Sequence, residues 1–246
     1  MAQVFHPSMN TVSRVSVLCG LIFPVALIGV ASAITRSSYG TKAKVPVDQP
    51  VPFSHEHHVN ELGIDCRYCH TNVEKSANAG VPPVHTCMSC HSQIWTNSPL
   101  LEPIRDSYAT NTPIRNAYGE TGWNRLNKVP EFVYFNHSIH VNRGINCNYC
   151  HGPVQTMQLM YKGKPFFMAW CLNCHRHPEN YVRDNTQEFT LYRKLQRGEE
   201  LTPEEAALAE GGDYQRTPAE LEEGRRLLAK YHVNKAQLTD CWVCHR

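Results

Sequence analysis

The chain has 246 residues, with 24 Lys and Arg against 22 Asp and Glu and a formal charge of +2. That near balance, without a basic run, excludes a nucleic-acid partner. Apolar residues make up 41%, and 16 prolines and 14 glycines interrupt the chain often, so few long elements are expected and something besides side chains must fill the core.

Residues 1–36 come first in chain order. Val15 to Ile34 is apolar and carries no charge; at about 1.5 Å per residue it matches the roughly 30 Å of a hydrocarbon core. Ala31-Ser32-Ala33 resembles a signal-peptidase site, but the apolar run is longer than a leader's and only Arg14 precedes it. The expectation is a retained, single-pass membrane anchor. Pro24 would kink it or be accommodated by a neighbouring helix, and Cys19 reads as a buried, inert thiol. Arg36, Lys42 and Lys44 beyond the run outnumber Arg14 before it, so the flanking charges do not set its orientation.

After the anchor, Cys-x-x-Cys-His occurs five times and consumes ten of the eleven cysteines. The copies are Cys66, Cys69, His70; Cys87, Cys90, His91; Cys147, Cys150, His151; Cys171, Cys174, His175; and Cys241, Cys244, His245. This is the attachment signature of a c-type haem. Two thiols three positions apart meet the two vinyl groups as thioethers, and the next histidine is placed beneath the iron as proximal ligand. Zinc would need two cysteine pairs per metal and gives no reason for the histidine; a redox-labile disulfide would not recur five times. Five c-type haems are therefore expected. Such haems are attached outside the cytoplasm, which puts the body on the periplasmic side of a bacterial inner membrane.

Residues 49–95 and 131–180 read as two copies of a two-haem module. Phe53, His55, His58, Val59, Asn60, Gly63 and Ile64 before Cys66 are matched by Phe135, His137, His140, Val141, Asn142, Gly144 and Ile145 before Cys147. The first copy has one extra residue before its glycine, and Tyr68 matches Tyr149. Histidines at i and i+3 project from one helix face, so they cannot clamp one iron from both sides. Each reaches a different iron, which makes His55, His58, His137 and His140 the expected distal ligands, with Ser54 and Asn136 as helix caps. The fifth distal ligand is expected to be Met157 or Met168, ahead of Met160, with His232 and His177 as alternatives. His57 reads as an off-face neighbour, and His85 lies close to its own motif.

Residues 96–130, with Pro103, Pro113, Gly119 and Gly122, read as an irregular connector. Trp95 and Trp123 are expected on porphyrin faces. Residues 181–240 form a charged helical insertion. Thr202-Pro203-Glu204-Glu205 is a capping box whose helix ends at Gly211, and Thr217-Pro218-Ala219-Glu220 starts a second helix to about Tyr231. Leu221, Leu227, Leu228 and Tyr231 give that helix an apolar stripe, for docking a partner or as part of a solvated pair. Residues 241–246 hold the fifth attachment motif.

The Phe-x-His-x-x-His elements resemble those of small multihaem cytochromes of the c3 and c7 class. The resemblance implies c3/c7-like haem modules of mostly loops and short α-helices, here joined to one N-terminal transmembrane helix. It implies that His55 faces the haem of His70 and His137 that of His151. His58 and His140 would then serve the second haem of their own or the adjoining module.

Over nearly its full length the chain also resembles the pentahaem cytochrome c subunit of bacterial alternative complex III. The residues that carry this are Gln3-Val4-Phe5 before the anchor, Pro130-Glu131-Phe132-Val133-Tyr134-Phe135-Asn136-His137-Ser138-Ile139-His140, Met168 to Arg176, and the closing His245-Arg246. The insertion before the fifth motif is the part that departs from the likeness. The resemblance implies an electron-transfer subunit of a membrane quinol:electron-acceptor oxidoreductase, without a catalytic site of its own. Implied partners are an iron–sulfur subunit, integral membrane quinol-binding subunits, and a monohaem cytochrome, soluble cytochrome c or blue-copper acceptor. The alternatives are a quinol dehydrogenase anchored by a single helix and a multihaem reductase with an open iron.

Overall fold

The structure, a computed structural model, describes residues 5–115, 119 and 122–245. Gln3, Val4 and Arg246, which share in the resemblance above, lie outside the described residues. The chain divides into two units, Met1–Ala43 and Lys44–Arg246.

The first unit is helix α1, Ser8–Arg36, followed by the short α2, Ser38–Thr41. Among the described residues α1 is the one helix long and apolar enough to cross a membrane. It extends the uncharged stretch by two polar turns at its start, and Pro24 sits inside it. None of its residues is buried. Cys19 lies on its exposed surface.

The second unit holds a π-helix, Glu56–Glu61, then α3 Cys66–Cys69, α4 Val84–His91, α5 Glu102–Thr110, α6 His137–Val141, α7 Cys147–His151 and α8 Met168–Arg176. After these come α9 Thr190–Arg197, α10 Pro203–Ala209, α11 Pro218–Lys230 and α12 Cys241–Cys244. Among the described residues the β structure is confined to isolated bridges, such as Pro46 to Tyr161 and Val133 to His245. Each Cys-x-x-Cys lies within helix, so its two sulfurs share a face. Asp65 and Asn146 cap two of these turns, their side chains accepting from the amides of Arg67 and Asn148.

The two His-x-x-His segments differ in helix type, and the extra residue explains why. In the second copy the pair stands on the α-turn of α6. In the first it stands at the start of a π-helix, which is what an α-helix becomes when one residue is inserted without breaking it. The register therefore recovers by the glycine: Gly63 and Gly144 both sit at φ +69°, a conformation that costs other residues energy.

The apolar side chains form four small clusters instead of one core. Val51, Ile104 and Ile114 gather Cys87 and Trp123; Val73, Val141 and Phe189 gather Cys66 and Cys147. Tyr149, Leu191 and Leu208 gather Cys150 and Tyr181, while Val182, Leu227 and Leu228 gather Ile145 and Tyr231. The connector is thus not wholly irregular, since α5 buries Ile104 against the residues around Cys87. Trp95 is exposed and stacks on the His57 ring at 6.2 Å.

Nor is the insertion a solvated pair of helices. Both capping boxes form, and α9, α10 and α11 pack on the second module through Leu191, Leu208, Leu227 and Leu228. Glu204 bridges Arg183 at 2.6 Å and Arg216 at 2.7 Å. Arg216 also donates to the carbonyls of Glu179 and Val182. Pairing of this kind is what allows an arginine side chain only 4% exposed.

Gly144 is one of the two tightest points where this insertion meets the second module, the other being Gly224 against the Glu179 carbonyl. A Cβ on Gly144 would lie 2.2 Å from the carbonyl oxygen of Arg183. Gly144→Ala is expected to cost about 3 kcal/mol through overpacking and the left-handed backbone, read as a lowered midpoint of denaturant unfolding. A variant as stable as the parent would show that the contact relaxes freely.

Candidate haem sites

Seven of the nine motif and repeat histidines share one hydrogen-bonding habit. Nδ1 of His58 bonds the Ser54 carbonyl at 2.8 Å, and Nδ1 of His140 bonds the Asn136 carbonyl at 2.7 Å. These are matching positions of the two copies. His137 bonds the Ala77 carbonyl and His70 that of Gly80. His91, His175 and His245 bond the carbonyls of Ile94, Leu238 and Phe132. A backbone carbonyl must receive a proton, so Nδ1 is the N–H nitrogen in each ring. Nε2 is left as the free lone pair that a metal takes. The other histidines behave differently: His57 pairs with the Glu61 carboxylate, His6 with the Ser8 hydroxyl and His177 with Glu179.

The rings are also spaced for an iron between them. An Nε2-to-metal bond of about 2 Å on each side, plus about 1 Å to each ring centre, sets centres about 6 Å apart. His137 and His151 lie 6.3 Å apart and within 7° of parallel. His140 and His175 lie 6.3 Å apart, and His58 and His91 6.2 Å. His55 stands beside His70; burial first, then the charges of His70, His58 and His151, lower its pKa to about 4. Its Nδ1 is buried without a partner. Burial likewise holds His151 at about 4. Both are therefore neutral imidazoles, the form that ligates iron.

Two phenylalanines, whose part sequence reasoning left unspecified, fix these rings. Phe53 stacks on His58 at 4.4 Å and meets His55 edge-on at 4.8 Å; Phe135 does the same to His140 at 4.5 Å and His137 at 4.8 Å. The repeat of Phe two residues before each His-x-x-His was the signal available for them. Glu188 gave no such signal. It is buried, its Oε1 accepts from the Cys147 amide at 3.2 Å, and burial raises its carboxyl to about 8.

The cysteines suit thioether attachment better than metal ligation. No disulfide joins them. Burial raises Cys66, Cys150 and Cys174 to about 12 and Cys147 well above its usual value, so they are thiols, not thiolates. Among the described residues no three Cys, His, Asp or Glu groups gather into a metal-ion cage.

The candidates for a fifth distal ligand fall in different places. Met157 is 2% exposed, with its methyl 3.4 Å from where a Cβ on Gly152 would be, next to His151. Met168 is 64% exposed at the start of α8, the helix that carries Cys171. His232 lines a cavity with His140 and His175, His177 is exposed beside Glu179, and His85 stacks on Tyr108.

Residues 133–196, which contain the third and fourth motifs, match the family model described as cytochrome c7 and related cytochrome c. This part of the chain is a cytochrome c7-like domain, helical and loop-rich, and its cofactor is c-type haem. Over 104 residues the chain is 33% identical to the "Menaquinone reductase, multiheme cytochrome c subunit" of Nitratidesulfovibrio vulgaris strain Hildenborough, covering 42% of this chain and 46% of that protein. The chain spans less than half the length of that relative.

These groups set the pH dependence of stability. The folded pKa of about 4 at His55 and His151 lies below the usual 6.5 of an imidazole, so the unfolded chain binds more protons between them and stability falls as pH drops through that window. Glu188, at about 8 against 4.5, has the opposite sign and loses its contribution as pH rises towards 8. With two histidines against one carboxyl, stability should peak near 6.5 and fall on both sides. Urea unfolding at several pH values measures this, and Glu188→Gln should flatten the fall above 6.5 while steepening the rise below it.

Proposed function

We propose that this chain is a membrane-anchored electron-relay subunit that holds five c-type haems. When bound, the haems supply one-electron iron chemistry, passing electrons between a quinone-reactive membrane partner and an acceptor or donor on the periplasmic side. The observation that carries the reading is the backbone bond at Nδ1 of seven of the nine motif and repeat histidines, which leaves Nε2 free to face a second imidazole.

The axial pairs would be His55 with His70, His58 with His91, His137 with His151, and His140 with His175. His245 would take Met168 in preference to Met157, because Met168 lies one turn before Cys171 whereas Met157 is packed beside Gly152. The ten motif cysteines hold the porphyrin edges, and Phe53 and Phe135 keep the distal rings from turning. With both axial positions filled by the chain, no iron is left open to a substrate, which argues against a reductase with its own catalytic haem.

Two directions of flow remain distinct proposals. The resemblance to the pentahaem subunit of alternative complex III favours electrons leaving quinol for a monohaem cytochrome, soluble cytochrome c or blue-copper protein, with iron–sulfur and quinol-binding subunits as partners. The likeness to a menaquinone reductase subunit favours the reverse. Haem midpoint potentials above that of the quinone pool support the first, and potentials below it the second.

The haem reading is tested by pyridine haemochrome on the pure chain, where five haems per chain are expected and clearly fewer would sink it. His140→Ala should leave the haem count unchanged and convert one haem from low-spin to high-spin. A spin state unchanged by that substitution would remove His140 from the ligands.

A further inference from the structure

The motifs follow one another along the sequence, but their mutual contacts do not follow that order. In the first module, the Tyr68 hydroxyl inside motif one bonds the Ser89 hydroxyl inside motif two at 2.8 Å. His55 and His58 tie the same two sites together from the other side, through one turn of helix. Motif two therefore neighbours motif one.

Motif one meets the second module at motif three, not motif four. Cys66 and Cys147 pack on the same three side chains, Val73, Val141 and Phe189. The loop just after motif one supplies the Ala77 carbonyl that orients His137, and Asn142 donates to the Glu74 carbonyl at 2.9 Å. Motif three joins motif four through tyrosines. Tyr149 of motif three meets Tyr181 at 5.3 Å, and Tyr181 accepts from Asn173 of motif four at 2.9 Å.

The fifth motif attaches beyond the fourth. The Leu238 carbonyl, three residues before Cys241, orients His175 at 2.8 Å. Trp242 and Val243 line the cavity of about 300 Å³ that also holds Cys174, His140 and His175.

We infer that the five attachment sites form one row in the order second, first, third, fourth and fifth motif. The site of Cys87, Cys90 and His91 and the site of Cys241, Cys244 and His245 are its two ends. This rests on the five-haem reading. Its consequence is that a membrane partner and a soluble partner meet opposite ends of the row: one at the motif-two site and the other at the motif-five site.

The test removes an end and a middle site in the full-length chain, with Cys241→Ala/Cys244→Ala and Cys147→Ala/Cys150→Ala. Loss of a haem changes the charge felt by its immediate neighbours. Removal of the fifth should therefore shift the midpoint potential of one remaining haem, and removal of the third should shift two. Two shifted haems in the first variant, or one in the second, would overturn the order. If the second variant does not fold, iron positions by electron cryomicroscopy of the native assembly decide it, with the fifth iron expected nearest the fourth and the second nearest the first. A haem count below five in the parent would defeat the five-haem reading, whereas five haems with other neighbours would defeat only the order.

Discussion

The carbonyl-to-Nδ1 hydrogen bond is the constraint on which the haem-binding body depends. An imidazole on a flexible χ2 can present either nitrogen, and only one arrangement leaves a lone pair aimed at a metal. In both His-x-x-His copies the carbonyl comes from four residues back, at Ser54 and Asn136. The ring is thus locked by its own helical turn. The other rings take theirs from the facing module or from the chain beyond, at Ala77, Gly80 and Leu238. Orienting a ligand and joining two segments are the same act here.

Much of the site was legible in the residues because its chemistry is local. Cys-x-x-Cys-His needs no tertiary partner to be recognised, and a histidine pair one turn apart cannot close on a single iron. Short helices and capping boxes were legible for the same reason. The facing of His137 with His151 and of His140 with His175 is a long-range fact. It entered through a likeness to other proteins, not through spacing.

What escaped the sequence was set by tertiary packing. The one-residue mismatch between the copies was visible, but its absorption into a π-helix was not, since both helix types put His55 and His58 on neighbouring faces. The connector showed no period because α5 has nine residues and buries chiefly Ile104 and Ser107. The apolar stripe of the insertion left open a docking face or a solvated pair, whereas Leu227 and Leu228 pack within the chain and Glu204 pairs inward with Arg183 and Arg216. Met157 read as a candidate ligand from its position between motifs, but its burial against Gly152 comes from a turn that no local pattern announces.

The four separate apolar clusters have a consequence for how such a chain comes to exist. Each is built from a few side chains, and most include a cysteine destined for a porphyrin edge. None is large enough to organise the others, and on the proposed reading haems fill the space between them. Folding and cofactor attachment are then one process, as in small metal-stabilised domains that are unfolded without their ion. On that reading the polypeptide closes only as its haems are attached. A copy missing one haem is a chain with a hole between clusters, which a protease can find.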